Sequence, residues 1–256
     1  MLDKINTKDI VAIAKEAGDA IMQIYSQDFE VEYKQDNSPL TLADKKANDI
    51  IENGLNQLSI KLPILSEEGK GIPYEERKHW EYFWLVDPLD GTKEIIKKNG
   101  EFTVNIALIH KDIPVLGVVY APALDICYWA KQGEGAFKDG QRLPFNTENQ
   151  CNTYKIVASR SHMSNETQAF IDDIDTDKEK ELISIGSSLK ICLVAEGEAD
   201  IYPRLGPTME WDTGAAHAVI NESEMSLKRY MNCKYSKHEY NKAELLNQWF
   251  IVEKKP

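Results

Sequence analysis

Long apolar runs are missing from this sequence. Nowhere do about 18 apolar residues follow one another, and residues 1–6 carry an acid and no apolar stretch. Neither a membrane span nor a secretory signal is therefore predicted. We expect a cytoplasmic protein with no transmembrane segment, and we leave open a peripheral association with the inner membrane.

Cysteine is scarce, and the spacing of the cysteines does not match a zinc-binding or disulfide pattern. Four cysteines are present, and no two are separated by two residues: Cys127, Cys151, Cys192 and Cys233. The spacing of these four cysteines is typical neither of a disulfide framework nor of a zinc site. We expect reduced, mostly buried thiols.

Positive charge is also in short supply. The chain has 30 Lys and Arg against 42 Asp and Glu, which gives a net charge of −12. Polymeric nucleic acid is excluded as a partner, because its binding depends on clustered cations that release counterions. A small anion can still bind where divalent metals and a few bases, among them Lys190 and Arg204, compensate locally.

The sequence has the size and periodicity of a globular α and β protein, since 256 residues that are 42% hydrophobic can bury a large core. Apolar spacing predicts helices over 8–24, 41–58, 166–174 and 188–196, the last stopped by Gly197. Strands are predicted over 62–65, 82–86, 102–110, 115–121, 126–130, 155–159, 182–185 and 249–252, with a hairpin turn at Asp139-Gly140. The polar residues 146–153 separate an α+β amino-terminal half, 1–150, from an α/β carboxyl-terminal half, 151–256.

One stretch carries the clearest chemical signal, because an apolar strand there runs into two carboxylates on a tight turn. It is Trp84-Leu85-Val86-Asp87-Pro88-Leu89-Asp90-Gly91-Thr92. Pro88 stiffens the turn, and the three-residue step from Asp87 to Asp90 can bring both side chains to one side. Gly91 lets a ligand approach the backbone, and a helix beginning at Thr92 would direct unpaired N–H groups at the same spot. The stretch predicts a site for phosphate and for Mg²⁺ rather than zinc.

Two other segments deliver acids in the same manner. Residues 62–65 run into Ser66-Glu67-Glu68-Gly69, and Asp212 begins a helix of small residues that includes His217. Taken with Asp44, these segments resemble the signature of the magnesium-dependent, lithium-sensitive phosphomonoesterases of the inositol monophosphatase superfamily. Each motif alone is common by chance, whereas their joint order over residues 44–214 is specific. The resemblance implies a layered αβαβα sandwich, of the α+β or α/β class, with metals where the two halves meet.

The resemblance also implies roles for individual residues. Asp44 and Thr92 would orient the attacking water, Glu67 would be both catalytic and a ligand, and Glu68 would support the ligands from behind. Two or three Mg²⁺ ions would be held by Glu67, Asp87, the Leu89 carbonyl, Asp90 and Asp212.

Structural explanations compete with several of these roles. Thr41 and Asp44 have the spacing of a capping box, so Asp44 could serve only the start of its helix. Glu67 and Glu68 could be a solvated loop pair. Asp87 or Asp90 could cap the turn.

Residues 186–200 and 202–208 are similar to one branch of the superfamily, the 3′(2′),5′-bisphosphate nucleotidases, which cleave 3′-phosphoadenosine 5′-phosphate. His162 would lie near the 5′-phosphate or the base. The implied substrate contacts are Glu67, Leu89, Asp90, Gly91, Thr92, His162, Ser187, Lys190, Arg204 and Asp212. Lys190 and Arg204 could instead be surface charges, and His162 could cap a helix. Residues 240–252 also agree with this branch, whereas Glu222-Ser223-Glu224-Met225 replaces an expected glycine-rich turn.

The predicted function is removal of the 3′-phosphate of adenosine 3′,5′-bisphosphate by a metal-activated water, giving AMP and phosphate in sulfur and nucleotide metabolism. The partner is thus a small nucleotide bisphosphate, and the oligomeric state is not predicted. Two alternatives stay open. One is an inositol or sugar phosphate phosphatase on the same scaffold; the other is a non-catalytic regulator, against which the intact acids weigh.

Overall fold

The computed structural model describes residues 1–26, 39–145, 152–158 and 163–255. Its helices are α1 (Thr7–Tyr25), α2 (Pro39–Gln57), α3 (Tyr74–Arg77), α4 (Thr92–Ile96), α5 (Asn165–Asp172), α6 (Leu189–Glu196) and α7 (Glu210–Glu222). Its strands are β1 (Ile64–Ser66), β2 (Tyr82–Asp90), β3 (Thr103–His110), β4 (Ile113–Ala121), β5 (Ile126–Lys131), β6 (Gly135–Lys138), β7 (Gln141–Arg142), β8 (Thr153–Ala158), β9 (Glu179–Ser184), β10 (Ile201–Arg204), β11 (Met225–Met231), β12 (Lys234–Lys237) and β13 (Phe250–Lys254). Within these residues no helix is both long and apolar enough to cross a membrane.

The first sheet contains β1 to β7 in chain order. Only β1 and β2 are parallel, and each later strand pairs antiparallel with the one before it. Strands β2, β3 and β4 are buried along almost their whole length, because helices cover both faces of the sheet. The carboxyl ends of β1 and β2 therefore lie side by side, which brings their acids to one edge.

The second sheet has the order β12-β11-β13-β10-β8-β9. Strand β8 is parallel to both β9 and β10, whereas β10, β13, β11 and β12 pair antiparallel. Pro203 lies inside β10 opposite Ile251 of β13, whereas the pairing of β10 with β8 is limited to Ile201, so the missing Pro203 N–H is tolerated there.

Five layers result from how the helices pack. Helices α1 and α2 cover one face of the first sheet, α6 and α7 lie between the two sheets, and α5 covers the outer side of the second. Three hydrophobic clusters fill the spaces between these layers, around residues such as Ile51, Val219 and Ile171. This αβαβα arrangement confirms the predicted fold class.

The predicted elements agree with the structure in most places. The four helices predicted from apolar spacing are present within two residues at every boundary, and Gly197 ends α6 with a left-handed φ of 80°. Asp139 and Gly140 make the predicted hairpin turn, both with positive φ. Strands β10, β11 and β12 were not predicted, and for β6 and β7 only the turn between them was. The division into halves 1–150 and 151–256 stays a prediction, and residues 146–151 lie outside the described part.

Two expectations need correction. The strand predicted over 82–86 continues to Asp90, so the acidic residues lie in the strand and not on a turn after it. Helix α2 begins at Pro39, which places Thr41 inside the helix and removes the capping box proposed for Asp44.

Two further expectations concern the cysteines and the segment after His217. Cys127 and Cys192 are buried free thiols as predicted, whereas Cys233 is exposed and Cys151 lies outside the described residues. In place of a glycine-rich turn after His217, α7 ends at Glu222 and the extended Ser223 leads directly to β11. The Ser223 hydroxyl donates to the Ile220 carbonyl at 3.0 Å, which caps the helix end without glycine.

Candidate active site

A bulge in β2 places Asp87 and Asp90 on one face of the sheet. Asp87 pairs with Asn105 on β3 and Asp90 with Thr103, so two residues of β2 stand opposite the single Val104. Residues 103 and 105 of one strand face the same side, and directly paired residues share a face. Without the extra residue, Asp87 and Asp90 would point to opposite sides. The predicted convergence of the two carboxylates is thus present, and a bulge produces it.

The acids of the motif form one electrostatic neighbourhood. Burial raises the pKa of Asp87 well above its usual range, and the charges of Asp90, Glu67, Asp212 and Asp44 raise it further. Asp87 is only 1% exposed, and its Oδ1 accepts a hydrogen bond from the Leu89 N–H at 3.0 Å. Carboxylates that come from α2, β1, β2 and α7 therefore act on the same buried group.

The other residues predicted for the metal site differ in their exposure to solvent. Asp44 is buried on α2, which packs against β2, and Leu89 is buried within β2. Glu67 follows β1 and is exposed, with its N–H bonded to the Val86 carbonyl at 3.1 Å. Glu68 is exposed beside it and is not among the four acids that raise the pKa of Asp87 most.

Asp212 lies in the first turn of α7 and meets Asp90 across the layers. Its Oδ2 accepts the Met209 N–H at 2.8 Å, which fixes the side chain at the helix start. Burial, followed by the charge of Asp90, raises the pKa of Asp212 to about 7. Burial also raises the pKa of Asp90, while Lys190 and the Ser188 hydroxyl oppose that shift.

This donor set fits magnesium chemically. Among the described residues no three Asp, Glu, His or Cys side chains stand close enough together to hold one ion. The acids nevertheless repel one another, and two like charges ~4 Å apart cost ~4 kcal/mol at an effective dielectric of about 20. Hard divalent cations that bind carboxylate and carbonyl oxygen would relieve that repulsion.

Gly91 and Thr92 follow the acids directly. Gly91 has a φ of 99°, in the left-handed region, and an added Cβ would lie 3.3 Å from the Glu101 carbonyl oxygen. The helix predicted to start at Thr92 is present as α4, but it has only five residues. Because so short a helix has few aligned peptide dipoles, any phosphate contact here depends on individual N–H groups and the Thr92 hydroxyl.

The opposite wall is cationic and comes from the second half of the chain. Lys190 lies on α6 and Arg204 at the end of β10. Burial lowers the pKa of Lys190 to about 8, Arg204 lowers it too, and Asp90 opposes the shift. Among the described residues, the buried Ser187 Oγ and Arg204 Nε have no hydrogen-bond partner. Such unsatisfied buried atoms are uncommon and suit a polar ligand. His162 lies outside the described residues.

These walls enclose a cleft with a volume of ≈ 240 Å³. It is lined by Asp90, Gly91, Thr92, Lys93, Glu94, Glu101, Ile185, Gly186, Ser187, Ser188, Lys190, Ile191, Tyr202, Arg204, Thr208, Asp212, Thr213 and Phe250. Seven of the predicted substrate contacts are therefore brought together. Glu67 and Leu89 are not part of this lining, although Glu67 acts electrostatically on Asp87 and Asp212.

Sequence reasoning missed two residues that contact the acids. Asn105 on β3 is 1% exposed and donates to the Ser188 Oγ at 3.0 Å. Ser188 in turn lies 3.1 Å from the Asp90 Oδ2. The signal for Asn105 was present, because it is an amide inside the otherwise apolar middle of a strand, whereas Ser188 was predicted only as the first residue of the helix 188–196.

The family follows from comparison with known proteins. The family model described as the inositol monophosphatase family matches residues 2–233. This chain belongs to that family. Its members are metal-dependent phosphatases that generally use Mg²⁺.

Two named relatives are similar to this chain over most of its length. The chain is 50% identical over 216 residues to the 3′(2′),5′-bisphosphate nucleotidase CysQ of Salmonella typhimurium, covering 83% of this chain and 85% of the relative. It is 35% identical over 249 residues to the protein of the same name from Haemophilus influenzae, covering 95% and 90%.

Solved structures agree with the five-layer fold. CysQ from Bacteroides thetaiotaomicron, described as a bacterial member of the inositol monophosphatase family, superposes with a TM-score of 0.90 at 45% identity, covering 98% of this chain and 97% of that one. Inositol monophosphatase II from Staphylococcus aureus gives a TM-score of 0.75 at 23% identity, covering 97% and 88%. The latter likeness concerns the fold alone.

Proposed function

We propose that this protein is a Mg²⁺-dependent 3′(2′),5′-bisphosphate nucleotidase that converts adenosine 3′,5′-bisphosphate to AMP and phosphate. One observation carries the proposal: Asp90 of β2, Asp212 of α7 and the bases Lys190 and Arg204 line the same cleft. A substrate with two phosphates needs metal at the reacting one and fixed positive charge at the other. The named relatives at up to 50% identity support the same activity.

The acidic wall provides the metal ligands in this proposal. Glu67, Asp87, the Leu89 carbonyl, Asp90 and Asp212 hold two or three Mg²⁺. When bound, Mg²⁺ lowers the pKa of a coordinated water and neutralises charge on the phosphoryl group. The raised pKa values of Asp87 and Asp212 support this role, because mutual repulsion favours the uptake of a divalent cation.

Other residues of the chain orient the reactants. Asp44 and the Thr92 hydroxyl position the attacking water, and Glu68 supports the ligand Glu67 from the same turn. Gly91 and Thr92 line the cleft and contact the 3′-phosphate in this proposal. No covalent phosphoenzyme is required.

The cationic wall recognises the nucleotide. Lys190 and Arg204 contact the second phosphate or the ribose, and the unpartnered Ser187 Oγ accepts or donates a hydrogen bond there. His162 lies outside the described residues, and its contact with the 5′-phosphate or base stays a prediction. The substrate is a small molecule, and we propose a cytoplasmic enzyme in which residues 1–150 supply most metal ligands, while residues 151–256 supply the nucleotide contacts and the last metal ligand, Asp212.

A phosphate-release assay tests the function. Purified protein is compared on adenosine 3′,5′-bisphosphate, inositol 1-phosphate and a sugar phosphate, in Mg²⁺ and in excess chelator. We expect the nucleotide to have the highest kcat/KM and the chelator to abolish release. A higher kcat/KM on inositol phosphate would transfer the assignment to the alternative phosphatase, and full activity in chelator would remove the metal mechanism.

A further inference from the structure

Ser188 precedes α6 without capping it. Serine at this position usually accepts a hydrogen bond from the first turn of the helix, but the Ser188 side chain makes no cap bond. Its hydroxyl points instead to the acidic wall, where it can donate to the Asp212 carbonyl at 2.7 Å or to the Asp90 carboxylate at 3.1 Å. The hydroxyl therefore contacts β2 and α7 and does not cap its own helix.

Asn105 completes this arrangement. Its Nδ2 donates to the Ser188 Oγ at 3.0 Å, and while burial raises the pKa of Asp90, the same side chain lowers it. Because Asn105 occupies a lone pair of the hydroxyl, the single Ser188 proton is directed at Asp90 or at the Asp212 carbonyl. Both side chains are at least 97% buried, so water does not compete.

The backbone before Ser188 is shaped for the same purpose. A Cβ at Gly186 would lie 2.5 Å from the Glu101 carbonyl oxygen, so only glycine fits there. Ser187 has a φ of 49°, a left-handed conformation that non-glycine residues rarely adopt. Strain of this kind persists where surrounding contacts hold it, commonly at functional sites.

We propose that Ser188 and Asn105 are positioning residues that hold the Asp90 carboxylate oriented for Mg²⁺ and fix α6 and α7 against it. The inference rests on the proposed metal role of Asp90. It follows that loss of either side chain weakens Mg²⁺ binding and affects every phosphate substrate equally. Lys190 on the same helix differs, because its loss should affect the nucleotide selectively.

Mg²⁺ binding without substrate tests the proposal. The melting temperature of the full-length protein is measured against Mg²⁺ concentration, starting from the chelated protein, for the wild type, Ser188→Ala, Asn105→Ala and the double variant. We expect each single change to displace the curve by ~10-fold toward higher Mg²⁺, as for a lost hydrogen bond to a charged group. The double variant should add little, because both residues act on one carboxylate.

Ser223→Ala is the matched control, since it removes an equally buried hydroxyl from the far end of α7. We expect it to lower the melting temperature without displacing the Mg²⁺ curve. Ser188→Cys, similar in size but a weak donor, replaces Ser188→Ala if the alanine variant does not fold.

The outcomes separate this inference from the proposed function. Unchanged Mg²⁺ dependence in Ser188→Ala or Ser188→Cys overturns the positioning role. A displaced curve supports it even if adenosine 3′,5′-bisphosphate proves not to be the preferred substrate. A displacement of equal size in Ser223→Ala would mean that Ser188 acts only through general stability, which also overturns the inference.

Discussion

Lys242 contacts the buried carboxylate of Glu210 through both its Nζ and its backbone N–H, the latter at 3.1 Å. Glu210 is the first residue of α7 and is fully buried. The N–H of Asn241 adds a third hydrogen bond at 2.7 Å. The segment after β12 is therefore fixed to the helix turn that carries Asp212.

Breaking this buried pair should destabilise the protein. Lys242→Met leaves the Glu210 carboxylate without its cation, and we expect a loss of about 3 kcal/mol in the free energy of unfolding, measured by urea titration. Adding Glu210→Gln should restore part of that loss, because the amide carries no charge. Equal stability of Lys242→Met and the wild type would show that the pair contributes little.

Asp90→Asn should separate stability from activity. The change removes a charge that raises the pKa values of Asp87 and Asp212, so the metal-free protein should melt no lower than the wild type in chelator. Mg²⁺ should no longer raise the melting temperature as it does for the wild type, and kcat should fall below about a tenth of the wild-type value. Asp49→Asn, an exposed acid on α2, is the control. Retention of more than about a tenth of kcat at saturating Mg²⁺ would contradict a ligand role for Asp90.

The fold was predictable where local patterns are strong. The helical spacing of Ile10, Ile13 and Ile21 and the left-handed stop at Gly197 are local features, and both appear as predicted. Strand β10 was missed because Pro203 argues against a strand interior, and only pairing with β8 and β13 makes it one. The five-layer stacking depends on long-range contacts, so periodicity alone did not imply it.

The sequence predicted which acids lie near one another, but not the backbone geometry that brings them together. The order of the acids identified Asp87, Asp90 and Asp212, but the bulge that brings Asp87 and Asp90 to one face is visible only through the pairing with β3. Ser188 and Asn105 were missed for a related reason. Their partners lie 98 and 83 residues away along the chain, so no local pattern links them.

Acidification should destabilise the protein through two buried histidines. Burial lowers the pKa of His217 to about 3, and it lowers the pKa of the neighbouring His238 well below its usual range. Histidine in the unfolded chain titrates near ~6.5, so below that pH the unfolded state takes up protons that the folded state excludes. This contribution to stability is complete above pH ~6.5 and falls by about 1.4 kcal/mol per pH unit for each histidine as the pH decreases.

His217→Gln tests this pH dependence. The amide can still bond the Tyr240 hydroxyl, which lies 3.0 Å from the His217 Nδ1, but it does not titrate. Urea unfolding at pH 7.5 and pH 5.5 should show a smaller loss of stability in the variant than in the wild type. Identical losses would mean that His217 does not carry the effect.

Lys190 and Arg204 should distinguish the nucleotide from smaller substrates. Both line the cleft beside Asp90, and neither belongs to the proposed metal ligands. A hydrogen bond to a charged group contributes about 1.5–3 kcal/mol, so Lys190→Ala or Arg204→Ala should lower kcat/KM on adenosine 3′,5′-bisphosphate by roughly ten- to a hundred-fold. Inositol 1-phosphate has no second phosphate for these bases to contact, and its kcat/KM should change little.

Both variants are compared on both substrates at one saturating Mg²⁺ concentration, with Lys15→Ala, a half-exposed lysine on α1, as the control for loss of a surface charge. Because Lys190 also lies beside Asp90, its Mg²⁺ dependence is measured first, so that weaker metal binding is not mistaken for weaker nucleotide binding. The charge of Arg204 acts on the proposed ligand Asp212, so the Mg²⁺ dependence of Arg204→Ala is measured in the same way. Its Nη2 donates at 2.8 Å to the Pro207 carbonyl, and its buried Nε is unsatisfied among the described residues. Equal losses on the two substrates, or no loss on either, would mean that this wall does not recognise the nucleotide, and the inositol or sugar phosphatase alternative would then be favoured.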